Sequence, residues 1–428
     1  MNLKILCGGL LGCAVATFGQ IPEPTPTPVR VVITNTMPPI KLASTPLPRP
    51  SSTPIVVGNP PKGNGLAENP LQSAPVRPAP IAPAIASAGR SISFRQIKSL
   101  IADAKRQMQT RPIATAMSDG RVTTDFVRIA FHDWNRGTID FVVLTKESFL
   151  SIESDKAATS QNGRSLTIRT IRGNGVNTPI TIVDERGQPQ LPLLVQYPVE
   201  RGGRYIETAY YMSSHPGLIT PEVVAAGKYY VRNVIELARE KLRDEGVFIQ
   251  PKLADIAERL ATVEHVDHER FRSEYHPNIY NDVFTLFALN EGQTYRYSVS
   301  SAGAGGMVQM IPATYRMVRS WHPNIILMPD FVEGMRNHVN ATKAMLLYMQ
   351  RTWNDLIANS TISYALASRL ATQEQLMAAG YNSNPARLAG YINRGGENWK
   401  SYIPRETRIY LQIYESLERH VPMTARAH

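Results

Sequence analysis

A proline-rich stretch confines any compact fold of this chain to residues after about position 90. Residues 20–90 hold 17 of the 32 prolines, including the alternating run PEPTPTP at residues 22–28. Each proline removes a backbone N–H donor and fixes φ, so prolines at this density oppose both helix and sheet. The sequence predicts a disordered, semi-extended tether here, which would reach roughly 200 Å as polyproline II at about 3.1 Å per residue.

The first 19 residues differ in kind from this tether and are predicted to be a signal peptide. Lys4 precedes an apolar stretch over residues 5–15, and Ala14-Val15-Ala16 offers a small-x-small cleavage site. The apolar stretch is too short to cross a bilayer comfortably. We therefore expect an exported protein in the periplasm or cell envelope.

Both cysteines, Cys7 and Cys13, lie in this leader, so cleavage after Ala16 would leave a mature chain without a thiol. The segment Leu10-Leu11-Gly12-Cys13 is similar to a bacterial lipobox, which would place a lipid on Cys13. Membrane attachment through that lipid stays open as an alternative.

The formal net charge of +11 favours an anionic partner. Residues 1–90 carry +5 of it (seven Lys/Arg minus Glu23 and Glu68), which leaves +6 on the remainder. Cell-wall polymer, acidic lipid and nucleic acid would all fit such a charge. Export argues against nucleic acid.

Residues 91–219 are predicted to form a small β-rich domain to which the sequence assigns no role. A short helix is expected from Ser93 to about Gln109. Strand signals follow, and Asn174-Gly175 is one of the turns that separate them. The clearest strand signals are at residues 141–144, 165–169, 180–183 and 193–196.

Residues 220–428 are predicted to be mostly helical, which makes the fold class α+β. Thr220-Pro221-Glu222 is typical of a helix start, with an N-cap, proline at the first helical position and an acidic first turn. Apolar residues at helical spacing predict a helix over residues 252–268. Another helix is expected from about Asn340 to Leu356.

Glu264 lies near the end of the first of these helices, next to Val263 and close to Val266. A carboxyl at the border between core and solvent loses hydration, which raises its pKa and suits a general acid at neutral pH. A glutamate on a helix is more often simply solvated, so the neighbouring motifs decide between the two interpretations.

A glycine-rich segment, SSAGAGGMVQMIPAT, occupies residues 300–314. Small residues let the backbone approach a flat sugar ring, and we expect Gln309 on a following helix to pair with an acetamido group. Glycine-rich loops also bind phosphate, but no Lys-Ser/Thr pair follows this one as in a P-loop. Further on, Tyr381-Asn382 and Tyr410 offer a phenol and an amide suited to sugar hydroxyls and N-acetyl groups.

Together these elements resemble the soluble-lytic-transglycosylase-like domains, a family related to goose-type lysozyme, over roughly residues 245–415. Tyr381-Asn382 match the family's Ala-Tyr-Asn. The family pattern Ser-x-x-Gly-Ala-x-Gly-Leu-Met-Gln-x-x-Pro-x-Thr is matched by Ser300, Gly303, Ala304, Gly306, Gln309, Pro312 and Thr314. The pattern Pro-x-Glu-Thr-x-x-Tyr is matched by Pro404, Glu406, Thr407 and Tyr410.

The chain departs from the family pattern at three places. His265 stands where the family has a serine after the catalytic glutamate, Met307-Val308 replace Leu-Met, and Gly380 replaces the alanine before Tyr-Asn. The first departure keeps the catalytic glutamate but changes the residue next to it, so it bears on activity and specificity.

The resemblance implies a lysozyme-like helical domain that cleaves the β-1,4 bond between N-acetylmuramic acid and N-acetylglucosamine in peptidoglycan, without cofactor or metal. Glu264 would protonate the glycosidic oxygen, then remove the proton of the muramic C6 hydroxyl as a 1,6-anhydro ring closes. The residues that would bind the glycan are Ser300, Met307, Gln309, Tyr381, Asn382 and Tyr410.

Three alternatives stay open. The spacing of His265 and His268, with Glu269 or His276, would suit a metal ion on one helix face, although the order matches neither His-Glu-x-x-His nor His-x-x-Glu-His. A chain that keeps a sugar cleft but lacks activity would be a wall-binding or assembly protein. A chain that uses water instead of the C6 hydroxyl would be a hydrolytic muramidase.

Overall fold

The computed structural model describes residues 92–427, apart from residues 112, 114–116, 119–120, 123, 202 and 293–302. The predictions for the leader at 1–19, the tether at 20–90 and Ser300 lie outside the described residues. Within the described part, no helix is both long and apolar enough to cross a membrane.

The first helix, α1, runs from Phe94 to Thr110 and confirms the helix expected at this position. Ser93 caps it: its hydroxyl accepts from the Gln96 N–H, while the Gln96 side chain accepts from the Ser93 N–H. This capping box satisfies two donors that the helix itself cannot pair. The buried face of α1 is formed by Ile97, Ile101, Ala104 and Met108, at the spacing of one helical stripe.

A curled antiparallel sheet follows α1 and the two-residue strands β1 (Met117–Ser118) and β2 (Arg121–Val122). Its strands are β3 (Phe126–Asp133), β4 (Thr138–Thr145), β5 (Lys156–Thr159), β6 (Ser165–Thr170), β7 (Ile180–Asp184), β8 (Pro189–Arg201) and β9 (Arg204–Tyr211), and helix α2 (Lys146–Leu150) lies between β4 and β5.

The strand order is β4-β3-β8-β7-β6-β5, with β9 added beside β8. The thirteen-residue β8 is therefore the organising strand, because it pairs with β3, β7 and β9 along different parts of its length. Curling brings the two ends of the order together, where the Gln161 N–H donates to the Phe141 carbonyl at 2.7 Å. All four predicted strand segments lie in strands of this sheet, in β4, β6, β7 and β8.

From Pro221 onward the described chain is helical. Thr220 is the N-cap predicted from the sequence, since its side chain accepts from the Val223 N–H and Pro221 opens the helix. The α-helices are α3 (Pro221–Asp244), α4 (Pro251–Val263), α5 (His268–Ser273), α6 (His276–Leu289), α7 (Pro312–Trp321), α8 (Phe331–Arg336), α9 (His338–Ile357), α10 (Ser360–Ala367), α11 (Gln373–Asn382), α12 (Leu388–Gly395) and α13 (Arg405–His420). Short 3₁₀ helices lie at Pro216–Leu218, Pro385–Arg387 and Gly396–Ser401.

One predicted helix is shorter than expected. The apolar spacing predicted a helix over residues 252–268, but α4 ends at Val263. The chain turns there because Asp267 accepts from the N–H groups of Glu269 and Arg270 and so begins a separate helix, α5. Glu264 consequently occupies the C-cap of α4, where a side chain can reach toward other elements.

The sheet and the helices are joined by polar contacts as well as by a shared buried core. Arg172 of the sheet region reaches Ser214 at 3.0 Å and Asp282 of α6 at 3.4 Å. Asn290, just after α6, both accepts from the Met212 N–H and donates to the Met212 carbonyl. These bonds fix the helical part against the end of β9.

Helices α3 and α6 cross closely at Gly227, which gives a test of the packing. A Cβ added at Gly227 would lie 1.9 Å from the Phe284 carbonyl oxygen, so the helices would have to separate. We expect Gly227→Ala to lower the free energy of unfolding by about 3 kcal/mol, measured by denaturant titration. Gly390→Ala is the matched control, because its Cβ would meet open space on α12. That variant should be stabilised by about 0.5–1 kcal/mol, and equal losses in both would refute the close crossing.

Candidate active site

Glu264 projects from the end of α4 into a small group of aromatic hydroxyls. The Tyr410 hydroxyl, on α13, donates a hydrogen bond of 2.7 Å to Glu264 Oε1. Tyr410 is buried, and Glu264 is partly buried. Residues 146 positions apart in the sequence are thus in direct contact.

The environment of Glu264 favours its protonated form. Burial raises the pKa of this carboxyl to about 8, and the charge of Glu406 adds to the rise, while the Tyr410 hydrogen bond opposes it. The cost of removing a carboxylate from water outweighs the stabilisation by the Tyr410 hydrogen bond. Glu264 therefore carries a proton at neutral pH and can give it to a bound group.

Tyr381, at the C-terminal end of α11, lies close enough to Glu264 to interact with its charge. Burial raises the pKa of the Tyr381 phenol well above its usual value, and the charge of Glu264 raises it further. The phenol keeps its proton and donates a hydrogen bond of 2.7 Å to the Val308 carbonyl. Tyr381 thus connects the surroundings of Glu264 to the glycine-rich segment.

The described part of the glycine-rich segment is a tight turn closed by a bridge between Gly305 and Met310. Gly306 has φ 71°, and a Cβ there would lie 2.4 Å from the Met335 carbonyl oxygen, so a larger residue would displace the turn. Met307 and Val308 are fully buried. The Met307 side chain therefore belongs to the core.

Gln309 is placed differently from the sequence-based expectation. It was expected on the helix after the glycine-rich segment, but α7 begins only at Pro312. Gln309 lies in the turn with φ 49°, a left-handed conformation that is uncommon for residues other than glycine. Its side-chain amide donates to the Gly306 carbonyl at 2.9 Å.

Asn382 is held by a contact between two helices. Its Oδ1 accepts from the Thr407 hydroxyl of α13 at 2.9 Å. Because Tyr381 and Asn382 end α11 while Thr407 and Tyr410 lie on α13, the last two sequence motifs contact each other, and each contributes one tyrosine near Glu264. Glycine is favoured over alanine before Tyr381, since a Cβ at Gly380 would lie only 3.1 Å from Pro385 Cβ.

His265 turns away from Glu264 and contacts the glycine-rich turn. Its Nε2 lies 2.9 Å from the Met307 carbonyl oxygen, and its ring packs edge-on against Phe287 with centroids 5.4 Å apart. Burial lowers the pKa of His265 to about 4, so the ring is neutral. A carbonyl can only accept, so Nε2 carries the ring proton.

The described residues do not have the geometry of the metal site considered for His265 and His268. The described residues contain no group of three or more His, Cys, Asp or Glu arranged to hold a metal ion. His265 Nε2 is directed to Met307, and His276 bonds to Ser416 and to the Phe271 carbonyl. The two histidines thus serve different protein contacts.

Sequence reasoning missed the residues around the start of the loop that leads to the glycine-rich turn. The Tyr230 hydroxyl accepts from the Gly292 N–H at 2.6 Å and lies 2.5 Å from His338 Nδ1. Glu406 belongs to the Pro-x-Glu-Thr-x-x-Tyr motif, but nothing in the sequence indicated that its charge would raise the pKa of Glu264. These residues come from separate helices, and spacing along one helix cannot reveal such contacts.

Compared with known proteins, the chain matches no protein-family model, no curated protein and no solved structure.

The raised pKa of Glu264 makes the stability of the protein depend on pH. In the unfolded chain this carboxyl titrates near 4.5, whereas folding raises its pKa to about 8. Below pH 4.5 both states are protonated and folding carries no penalty. Between pH 4.5 and 8 the folded state must retain a proton that the unfolded state has lost, so stability falls as pH rises.

We expect Glu264→Gln, which is neutral at every pH, to remove this penalty. The variant should gain about 1–3 kcal/mol relative to the wild type on going from pH 4 to pH 7, measured by denaturant unfolding at both pH values. A difference that is constant with pH would mean that Glu264 is not desolvated in the folded protein.

Proposed function

We propose that this chain is a peptidoglycan lytic transglycosylase that cleaves between N-acetylmuramic acid and N-acetylglucosamine and leaves a 1,6-anhydromuramic product. The observation that carries the proposal is Glu264 itself. It is a desolvated glutamic acid with a pKa of about 8, bonded to Tyr410 and flanked by Tyr381. A general acid at neutral pH requires such an environment.

In this proposal one carboxyl acts twice. Glu264 gives its proton to the glycosidic oxygen, and the resulting carboxylate receives the proton of the muramic C6 hydroxyl as that oxygen attacks the anomeric carbon. The enzyme returns to its protonated state without consuming water. The raised pKa keeps Glu264 protonated before the first step, and the Tyr410 hydrogen bond lowers the cost of the carboxylate that exists between the two steps.

The remaining site residues support substrate positioning. In this proposal a sugar ring would approach the turn at Gln309, which is partly exposed, whereas the other residues of 305–310 are buried. Gln309 and Tyr381 would contact the N-acetyl and hydroxyl groups of the glycan. Met307 would act only through its backbone position in the turn, because its side chain is buried. Asn382 and Ser300 complete the proposed set of glycan-binding residues. A lysozyme-like packing of the helical part is proposed as well.

A hydrolytic muramidase is the second candidate, because Glu406 acts electrostatically on Glu264. Glycosidases that use water generally need a second carboxylate as base or nucleophile. Glu406 is exposed in the first turn of α13. It would be required for hydrolysis but not for formation of the 1,6-anhydro product. A wall-binding or assembly protein without activity would need neither carboxylate.

The proposed substrate agrees with the expected location. Peptidoglycan is anionic and extracytoplasmic, which fits the net charge of +11 and an exported chain. In this proposal the tether at residues 20–90 separates the enzyme from a membrane to which a lipid on Cys13 could attach it. Nucleic acid and cofactors have no part in the proposed reaction.

Digestion of purified sacculi, followed by mass spectrometry of the soluble products, tests the proposal. The wild type should release 1,6-anhydromuropeptides, and Glu264→Gln should lower the rate by at least about 10³-fold because the acid is lost. Glu406→Gln is the matched variant and should still yield anhydro products.

Other product patterns would contradict the proposal. Reducing-end muramic products that vanish in Glu406→Gln would identify a hydrolase, and released peptides would identify a peptidase. Sacculi that bind the protein but remain uncut would identify a binder.

The pH dependence of cleavage should report the titration of Glu264. We expect kcat/KM to fall above about pH 8, as the free enzyme loses the proton of the acid. In Tyr410→Phe the carboxylate loses its hydrogen-bond donor, so the pKa of Glu264 should rise and the alkaline limb should move to higher pH. Rates measured from pH 5 to 10 would test this, and a limb displaced to lower pH in Tyr410→Phe would contradict it.

A further inference from the structure

The glycine-rich turn is fixed at two adjacent carbonyl groups by side chains from two separate parts of the chain. His265, two residues after the end of α4, donates from Nε2 to the Met307 carbonyl at 2.9 Å. Tyr381, at the end of α11, donates to the Val308 carbonyl at 2.7 Å. Successive carbonyls in the turn thus have donors on separate elements, and the next residue, Gln309, adopts φ 49°.

The His265 contact is well suited to fix geometry. The ring is held edge-on by Phe287, so it has little rotational freedom. His265 follows Glu264 in the chain, so its contact with the Met307 carbonyl links the turn to the end of α4 that carries the carboxyl. A serine, which the resemblance predicts at this position, has a shorter side chain than histidine and would need a closer approach of the turn.

The chain that leads into the turn is also anchored near His265. Gly292 donates from its N–H to the Tyr230 hydroxyl at 2.6 Å, and the Tyr230 hydroxyl lies 2.5 Å from His338 Nδ1. The His338 N–H approaches the Gly292 carbonyl at 3.4 Å. His338 is buried and near enough to His265 to influence it electrostatically. Residues on both sides of the segment 293–302 are therefore held in the neighbourhood of the α4 end.

We propose that His265 is a positioning residue that sets the distance between Glu264 and the glycine-rich turn, and thereby places Gln309 against the glycan. The inference rests on the proposed function, because Gln309 is a glycan ligand only if the substrate is a glycan. His265 takes no proton from the substrate. Its effect is exerted through the Met307 carbonyl and the conformation of Gln309.

The test uses the full-length chain and soluble glycan fragments as substrate. His265→Leu removes the donor but keeps much of the volume, and it should lower kcat/KM roughly tenfold or more, mainly through a higher KM. His265→Gln can again present an amide donor to the Met307 carbonyl and should recover most of the activity. The alkaline limb near pH 8 should stay unchanged in both variants, because the contacts of Glu264 remain.

A readout independent of activity is hydrogen exchange of the backbone amides at residues 303–310. His265→Leu should lose protection there, and His265→Gln should keep it. His276→Leu is the matched control, since His276 Nε2 also contacts a carbonyl, that of Phe271, at 2.9 Å but away from the turn. This control should leave exchange at residues 303–310 and the KM unchanged, whatever its effect on Tm. If His265→Leu fails to fold, His265→Asn replaces it, because its amide is one carbon too short to reach.

The outcomes separate the two proposals. If Glu264→Gln is inactive and a folded His265→Leu retains wild-type KM and exchange protection, the positioning role is wrong while the proposed function stands. Cleavage of sacculi by Glu264→Gln at the wild-type rate would remove the proposed function itself. A lowered kcat with an altered pH profile in His265→Gln would mean that His265 takes part in the chemistry.

Discussion

The partial burial of one carboxyl group, that of Glu264, is the constraint on which the rest of the site depends. A glutamate at a helix C-cap would normally be ionised and solvated. Here burial keeps it protonated to about pH 8, and among the described residues the Tyr410 hydroxyl is its hydrogen-bond donor. An acid of this kind has to be surrounded by groups that neither ionise nor move, and buried tyrosines satisfy both requirements.

Keeping that carboxyl in place requires a fixed α4, and the far end of the chain contributes to this. Arg426, close to the C-terminus, is buried and pairs with Asp255 and Glu258 of α4, each at 2.7 Å. Buried charges of this type add little net stability, but breaking one side of such a network is costly. The pairs therefore fix the position of α4 relative to the C-terminal segment, and Glu264 follows directly after that helix.

Local signals in the sequence predicted the elements better than their arrangement. The capping residue Ser93 and the Thr220-Pro221 start are satisfied by hydrogen bonds within three residues, so their effect is visible in the sequence. The predicted end of α4 was wrong because apolar residues continue past Val263 to Val266, although the Asp267 cap begins a new helix there. The three partners of β8 come from distant segments, and no pattern within one strand specifies them.

By itself, the sequence determined which residue types were available: a glutamate beside a core helix, a glycine-rich turn, and two tyrosine motifs in fixed order. The need for glycine at position 306 became visible only in the structure, because it comes from a positive φ and from the Met335 carbonyl. The tertiary structure decided the chemistry, because a pKa depends on what surrounds a group in space. Glu264 and Tyr410 are 146 residues apart, and His265 and Met307 are 42 apart. Only packing of separate helices brings these pairs together, and it also moved Gln309 from the predicted helix into a left-handed turn.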